Sequence, residues 1–134
     1  MEKMSAAEYR NISGNTQKTK KYRNNPITTP DGWFQSVGEY WRWRVLKLLE
    51  RKGFISNLKR QVSYRLTNKK PGQLSVFWRP DFEYAENGIL TVEDYKSPVT
   101  AKISAFRNKV KMFQQVYPNI RVLISSRDGV EVYR

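Results

Sequence analysis

The chain predicts an α/β domain of the mixed-sheet (α+β) kind, with elements in the order α-β-β-β-α-β. Three observations carry that expectation. Apolar residues recur at helical spacing between Ser36 and Gly53, with start and stop signals at the two ends. The pattern then changes to short strand-like runs, broken by an Asn87-Gly88 hairpin signal. A second helical stripe follows, and after it the nearly continuous apolar run "NIRVLISS". Helices interspersed with strands pack on the faces of a sheet, and 134 residues suit one domain.

Taken in order, residues 1–32 are polar and lack periodicity, and a single folded domain is expected over residues 33–134. "MSAAEYR" suits a short helical turn. The basic run "NTQKTKKYRNNP" places Lys18, Lys20, Lys21 and Arg23 on an arm. Such an arm either lies along a phosphate backbone or is a plain leader. In the first helix Ser36 is the N-cap, Glu39 stands at the capping-box position three residues on, and Gly53 ends the element. Val37, Trp41, Val45 and Leu48 form the expected buried stripe, with Glu39, Trp43 and Leu46 beside it. Arg44, Lys47 and Arg51 fall on the expected wet side.

"FISNLKRQVSYRLT" reads as one or two short strands, "LSVFWRPDFEY" as a strand, and "ILTVEDYKS" as its return partner across Asn87-Gly88. "PVTAKISAFRNKVKMFQQVYP" reads as one helix, with Ile103, Phe106, Val110 and Phe113 on its apolar stripe. "NIRVLISS" is expected to be central or covered on both faces, and "RDGVEVYR" closes with a turn and a short strand.

Composition narrows the chemistry. There is no cysteine and no histidine, which excludes disulfides, thiolate zinc sites, cysteine nucleophiles and histidine catalysis. With 25 Lys+Arg against 12 Asp+Glu the net charge is +13. That balance, with aromatics interleaved, points to a nucleic acid bound through its phosphates; a membrane-surface binder is the other reading. No apolar run approaches the roughly 20 residues of a membrane span, and no signal core opens the chain. A soluble, cytoplasmic protein is therefore expected.

Against that basic background, Trp78 to Pro98 holds Asp81, Glu83, Glu86, Glu93 and Asp94. Alternate residues of a strand share a face, about 6.6 Å apart, so Asp94 and Lys96 are neighbours while Glu93 and Tyr95 point the other way. The hairpin brings Asp81 alongside Asp94. Two carboxylates brought together repel, and a divalent cation supplies the missing charge. Few, hard oxygen donors suit Mg²⁺, with Mn²⁺ as a substitute. Lys96 is then placed to stabilise charge growing on a phosphoryl oxygen. The bland alternatives are a turn role for Asp81, an exposed ion pair for Asp94 and Lys96, and a cap role for Glu39. On the same reading Glu83, Glu86 and Glu93 serve hairpin solubility.

"RPDF", followed at Asp94 by "DYK", resembles the PD-(D/E)XK nuclease signature, with Glu39 in "QSVGEY" as the helix glutamate of that superfamily. From about Trp33 to Ser125 the chain resembles small bacteriophage-encoded members related to Holliday junction resolvases. The resemblance implies a restriction-endonuclease-like core and Mg²⁺-dependent cleavage of DNA, leaving 5′-phosphate and 3′-hydroxyl ends. It implies branched or junction DNA as substrate and a symmetric homodimer, since a junction needs two matched cuts. It makes Asp81, Asp94 and Glu39 the metal-binding residues, Lys96 the catalytic lysine and Gln61 a supporting residue. Val62 stands where relatives often carry proline, and Ser97 where they often carry glycine. Lys102, Arg107, Lys109 and Lys111 of the second helix are the expected DNA-contacting face. The competing functions are a non-catalytic nucleic-acid-binding module on the same scaffold, and a nuclease subunit of a transposition or packaging complex. Trp33, Trp41, Trp43, Phe77 and Trp78 are read as core in preference to base-stacking platforms.

Overall fold

The computed structural model describes residues 25–68 and 70–134. Lys18, Lys20, Lys21 and Arg23 lie outside the described residues. The chain forms two units, one ending at Leu48 and the other running Leu49–Arg134.

In the first unit β1 (Ile27–Thr29) pairs antiparallel with β2 (Gly32–Phe34). The turn between them is Pro30-Asp31, where proline presets φ, and Gly32 takes φ 116°. Thr29 Oγ1 accepts from Asp31 N–H at 3.0 Å and donates to the Gly32 carbonyl at 2.9 Å. The strand Ile27–Thr29 thus lies inside the stretch expected to be an arm. Next comes α1 (Val37–Arg51). Ser36 Oγ accepts from Glu39 N–H at 3.1 Å, so the expected N-cap forms.

The buried stripe of α1 is rotated from the expected one. Val37, Tyr40 and Arg44 are buried at i, i+3 and i+7, with Glu39 and Leu46 beside them, while Val45 is exposed. Arg44 therefore sits on the inner side, not the wet side. Its guanidinium carbon lies 5.1 Å from the Trp41 ring and 5.7 Å from that of Tyr40. Aromatic faces and an apolar stem make a buried arginine tolerable there. Phe34, fully buried, meets the Tyr40 ring at 5.0 Å.

The second unit takes in the last turn of α1, which Gly53 ends at φ 84°. There follow β3 (Ser56–Arg60), β4 (Tyr64–Arg65), β5 (Phe77–Trp78), β6 (Phe82–Glu86) and β7 (Ile89–Tyr95). Then come α2 (Pro98–Ala101), α3 (Ser104–Val116), β8 (Arg121–Ser126) and β9 (Gly129–Val132). The main sheet has the order β3-β6-β7-β8-β9; only β7 and β8 are parallel, so the fold is α+β around a mixed sheet. A separate two-stranded ribbon joins β4 to β5. As expected from its apolar run, β8 is internal to the sheet.

Two elements split where one was expected. "LSVFWRPDFEY" breaks at Pro80, which has no N–H to donate and restrains the residue before it. The expected single helix becomes α2 and α3, with Ile103 extended between them (φ −70°, ψ 133°). Lys102 N–H closes α2 onto the Val99 carbonyl at 3.1 Å, and Arg107 N–H opens α3 on the Ile103 carbonyl at 3.0 Å. No glycine or proline marks that break. Ile103 accordingly leaves the apolar stripe and is exposed, while Val110 and Phe113 remain fully buried. These two pack with Leu66, Trp78, Val92 and Val122 as the core of this unit.

Register fixes the face on which the acids stand. Glu83 pairs with Val92 and Phe82 with Glu93, so Asp81 and Asp94 share the face of Val92. The register itself is set by the two-residue turn, with Asn87 at φ 54° and Gly88 at φ 79°, the hairpin turn whose twist matches the strands. A Cβ at Gly88 would meet nothing within 4 Å. Gly88→Ala should therefore lower stability through backbone strain alone, by about 1–2 kcal/mol, read as a lower urea midpoint with an unchanged slope.

Candidate functional site

The β6–β7 ladder ends at the Phe82–Glu93 pair. Beyond it, side chains take over from the backbone. Asp94 Oδ1 accepts the Asp81 N–H at 3.0 Å, and Asp81 Oδ2 accepts the Tyr95 N–H at 2.9 Å. The two carboxylates, both buried, are thereby clasped across the strands. Each takes a charge-assisted bond from an oriented backbone donor. Lys96, half-buried, sets Nζ 3.2 Å from Asp94 Oδ2 and 5.1 Å from the centre of the Phe106 ring. Three of the residues picked out in the sequence are thus on one face, at one end of the sheet.

Gln61 is brought to the same end by its backbone. Its N–H donates to the Asp81 carbonyl at 3.2 Å, and it takes φ 61°, a conformation seldom held without reason by a residue other than glycine. On the far side Lys96 N–H donates to the Ser125 carbonyl at 2.9 Å. Glu39 belongs to the first unit, where it is buried on α1. Lys102, Arg107, Lys109 and Lys111 are all exposed.

The remaining acids differ from expectation. Glu83 and Glu93 are buried, not solvating. Residues 82–84 of β6 and 91–94 of β7 are buried in succession, so both faces are covered there, and a carboxylate needs its own donor. Glu93 accepts from the Tyr84 hydroxyl at 2.6 Å. Glu83 accepts from the Tyr64 hydroxyl, and Lys59 Nζ lies 4.0 Å from its other oxygen. Glu86 alone is on the partly open end of the hairpin, where Arg121 holds it at 2.6 Å. Burial pushes the Tyr64 hydroxyl well above a tyrosine's ordinary range, and the hydrogen bond to Glu83 adds to the shift.

Whether a divalent cation fits turns on the donor chemistry. Asp81 and Asp94 offer hard carboxylate oxygens on one face, held in place by N–H bonds. Mg²⁺ typically takes one or two protein carboxylates and completes its shell with water and substrate phosphate, so the pair suits it. Among the described residues no three His, Cys, Asp or Glu side chains gather as a metal cage. No described helix is long and apolar enough to cross a membrane.

A family profile described as protein of unknown function (DUF1064) matches residues 19–128. The chain belongs to the DUF1064 family. That match spans both Asp81–Asp94 and Lys96, so the clasp lies within the family's own region. No curated protein matches this DUF1064 chain. Among solved structures, the crystal structure of SSO0001 is similar, at 13% identity and a TM-score of 0.43. The likeness covers 72% of this chain and 48% of that one, so the chain spans about half the length of that protein.

The Tyr64–Glu83 contact is testable in this DUF1064 chain. Tyr64→Phe leaves the buried Glu83 carboxylate short of a donor and should cost about 1–3 kcal/mol at neutral pH. The raised Tyr64 value also has a sign. The folded chain keeps a proton that an unfolded tyrosine gives up above its ordinary 10.0, so this contribution is whole below that pH and declines as pH rises past it. Urea midpoints of wild type should therefore fall more steeply with alkaline pH than those of Tyr64→Phe.

Proposed function

We propose that this chain is a Mg²⁺-dependent DNA endonuclease that hydrolyses phosphodiester bonds, with branched or junction DNA as its preferred substrate. The observation that carries the reading is the clasped Asp81–Asp94 pair with Lys96 Nζ 3.2 Å from Asp94 Oδ2, in a chain of net charge +13. The element order α1-β3-β6-β7-α3-β8 supports the restriction-endonuclease-like arrangement that the PD-(D/E)XK resemblance implies. Gln61, bonded to the Asp81 backbone, fits the supporting role of that resemblance.

On this reading Asp81 and Asp94 hold Mg²⁺, or Mn²⁺ in its place. When bound, the ion supplies charge neutralisation and a water of lowered pKa. The chain's own residues do the rest. Exposed cations of α3 draw in the DNA backbone by releasing its counterions. Clasping by backbone N–H groups keeps the two carboxylates from swinging apart, so little reorganisation is needed when substrate arrives. Lys96, packed over Phe106, donates to the phosphoryl oxygen that gains negative charge as water attacks. No step calls for histidine or cysteine, which the chain lacks. The resemblance adds Glu39 as a further acid, and two matched cuts in a junction call for a homodimer.

Four-way junction, nicked, duplex and single-stranded DNA incubated with and without Mg²⁺ test the reading. Wild type should cut the junction only with the metal. Asp94→Asn and Lys96→Ala should each lower the rate by a factor on the order of 10² or more, with DNA binding in EDTA retained; Glu39→Gln in the same panel decides the third acid. Cleavage that survives Asp94→Asn sinks the site assignment, and binding without cleavage under any metal favours the non-catalytic module.

The α3 cations make a separate prediction. Lys109→Ala with Lys111→Ala should weaken duplex and junction alike, and should flatten the slope of log K against log salt by about 0.9 per lysine. Titrations across a salt series read that slope directly.

A further inference from the structure

A groove of about 530 Å³ opens beside the clasped carboxylates, between α2, the end of β8 and β9. Lys96, Lys102, Ile124, Asp128, Glu131 and Tyr133 carry its chemistry. Lys96 links the groove to the candidate site: its ammonium is on Asp94 while its side chain forms part of the groove wall. The Phe106 ring beneath that ammonium stands edge-on to Tyr133, with ring centres 6.5 Å apart. Contacts thus run unbroken from Asp94 through Lys96 and Phe106 to the tyrosine in the groove.

Size and charge pattern narrow the ligand. The volume is that of a small-molecule site, too small for a duplex. Its ammonium groups stand at the end of β7 and just after α2, whereas its carboxylates stand at the β8–β9 turn and on β9, two strands away from β7. A run of bare phosphates meets repulsion from Asp128 and Glu131. A base with an exocyclic amine does not, because carboxylates accept from such amines as they do from cytosine N4. Tyr133 adds an aromatic surface of the kind on which unpaired bases stack.

We infer that this groove holds one unpaired nucleotide next to the phosphate at Asp81 and Asp94, with its phosphate toward Lys102 and an amine-bearing base toward Asp128 and Glu131. The inference rests on the nuclease reading for its neighbouring phosphate. It deepens that reading by adding a substrate feature: the groove takes a nucleotide only where the strand is already unpaired, as in a flap or a tail.

The test is binding in EDTA, which needs no catalysis. A labelled blunt duplex is compared with the same duplex carrying a short single-stranded tail of dC or of dT. Wild type should bind the dC tail about tenfold more tightly than the blunt duplex, the scale of one stacked base, and more tightly than the dT tail. Ala101→Trp, which fills the groove from α2, should remove the tail advantage and leave blunt affinity unchanged. Glu131→Ala, at an exposed strand position, should remove the dC-over-dT difference; melting curves confirm that both variants fold. Equal affinity of wild type for tailed and blunt DNA overturns the inference, and so does a tail advantage that survives both substitutions. Should Mg²⁺ produce no cleavage while the EDTA preferences hold, the nuclease reading falls and the groove stands; cleavage without tail preference has the opposite meaning.

Discussion

The reciprocal clasp between Asp81 and Asp94 is the constraint on which this end of the sheet depends. Pro80 has no N–H, and the backbone ladder between β6 and β7 stops at Phe82 and Glu93. The next donors on each strand, Asp81 N–H and Tyr95 N–H, are met by the carboxylate of the opposite aspartate. Around that junction Gln61 N–H reaches the Asp81 carbonyl from the β3 side, and Lys96 N–H reaches Ser125 on β8. Four neighbouring strands are thus tied together where their regular pairing gives out. Replacing either aspartate removes an acceptor from a buried N–H as well as a charge, so structure and chemistry share the same atoms.

Charge is segregated within the acid-rich stretch by the donor each acid receives. Glu83 and Glu93 take tyrosine hydroxyls, and Glu86 takes a guanidinium. These partners satisfy each carboxylate locally and need no external ion. The aspartates take backbone N–H groups instead, with the Lys96 ammonium on Asp94 and the groove beyond. The two carboxylates thus stand together on one face at the end of the sheet, oriented by backbone N–H groups. That placement, more than the count of acids, separates a candidate ion site from a set of structural carboxylates.

Legibility followed the range of the interaction. The Asn87-Gly88 turn, the Ser36 cap and the Gly53 stop are local, governed by φ and by one hydrogen bond each, and they were readable residue by residue. The Pro30-Asp31-Gly32 turn is equally local, but the polar composition around it carries no strand periodicity to set beside it. The Asp81–Asp94–Lys96 constellation was legible because period-2 alternation and hairpin register are both carried by the sequence. The rotation of the α1 stripe was not, because Arg44 is held by aromatic faces that a hydropathy pattern counts as separate residues. Nor was the extended Ile103, since its break between α2 and α3 has no helix-breaking residue. The burial of Glu83 and Glu93 depends on what covers β6 and β7, which is a property of the whole sheet and of no single strand.

On the nuclease reading, the basic surface and the acidic pair act at different ranges. A net charge of +13 attracts a polyanion from beyond a Debye length at low salt. Close to the sheet end a phosphate approaching Asp81 and Asp94 meets two carboxylates, with Lys96 Nζ 3.2 Å from Asp94 Oδ2. Long-range attraction alone therefore brings DNA to the α3 face without seating a phosphate at the clasp. Seating needs added positive charge at short range, and carboxylates already fixed by backbone N–H groups can receive it without moving. Binding at the surface and engagement of the scissile phosphate are then separate events, the first set by salt and the second by a divalent cation. Separation of that kind lets a strongly basic protein hold DNA widely while cutting only where strand geometry and metal coincide.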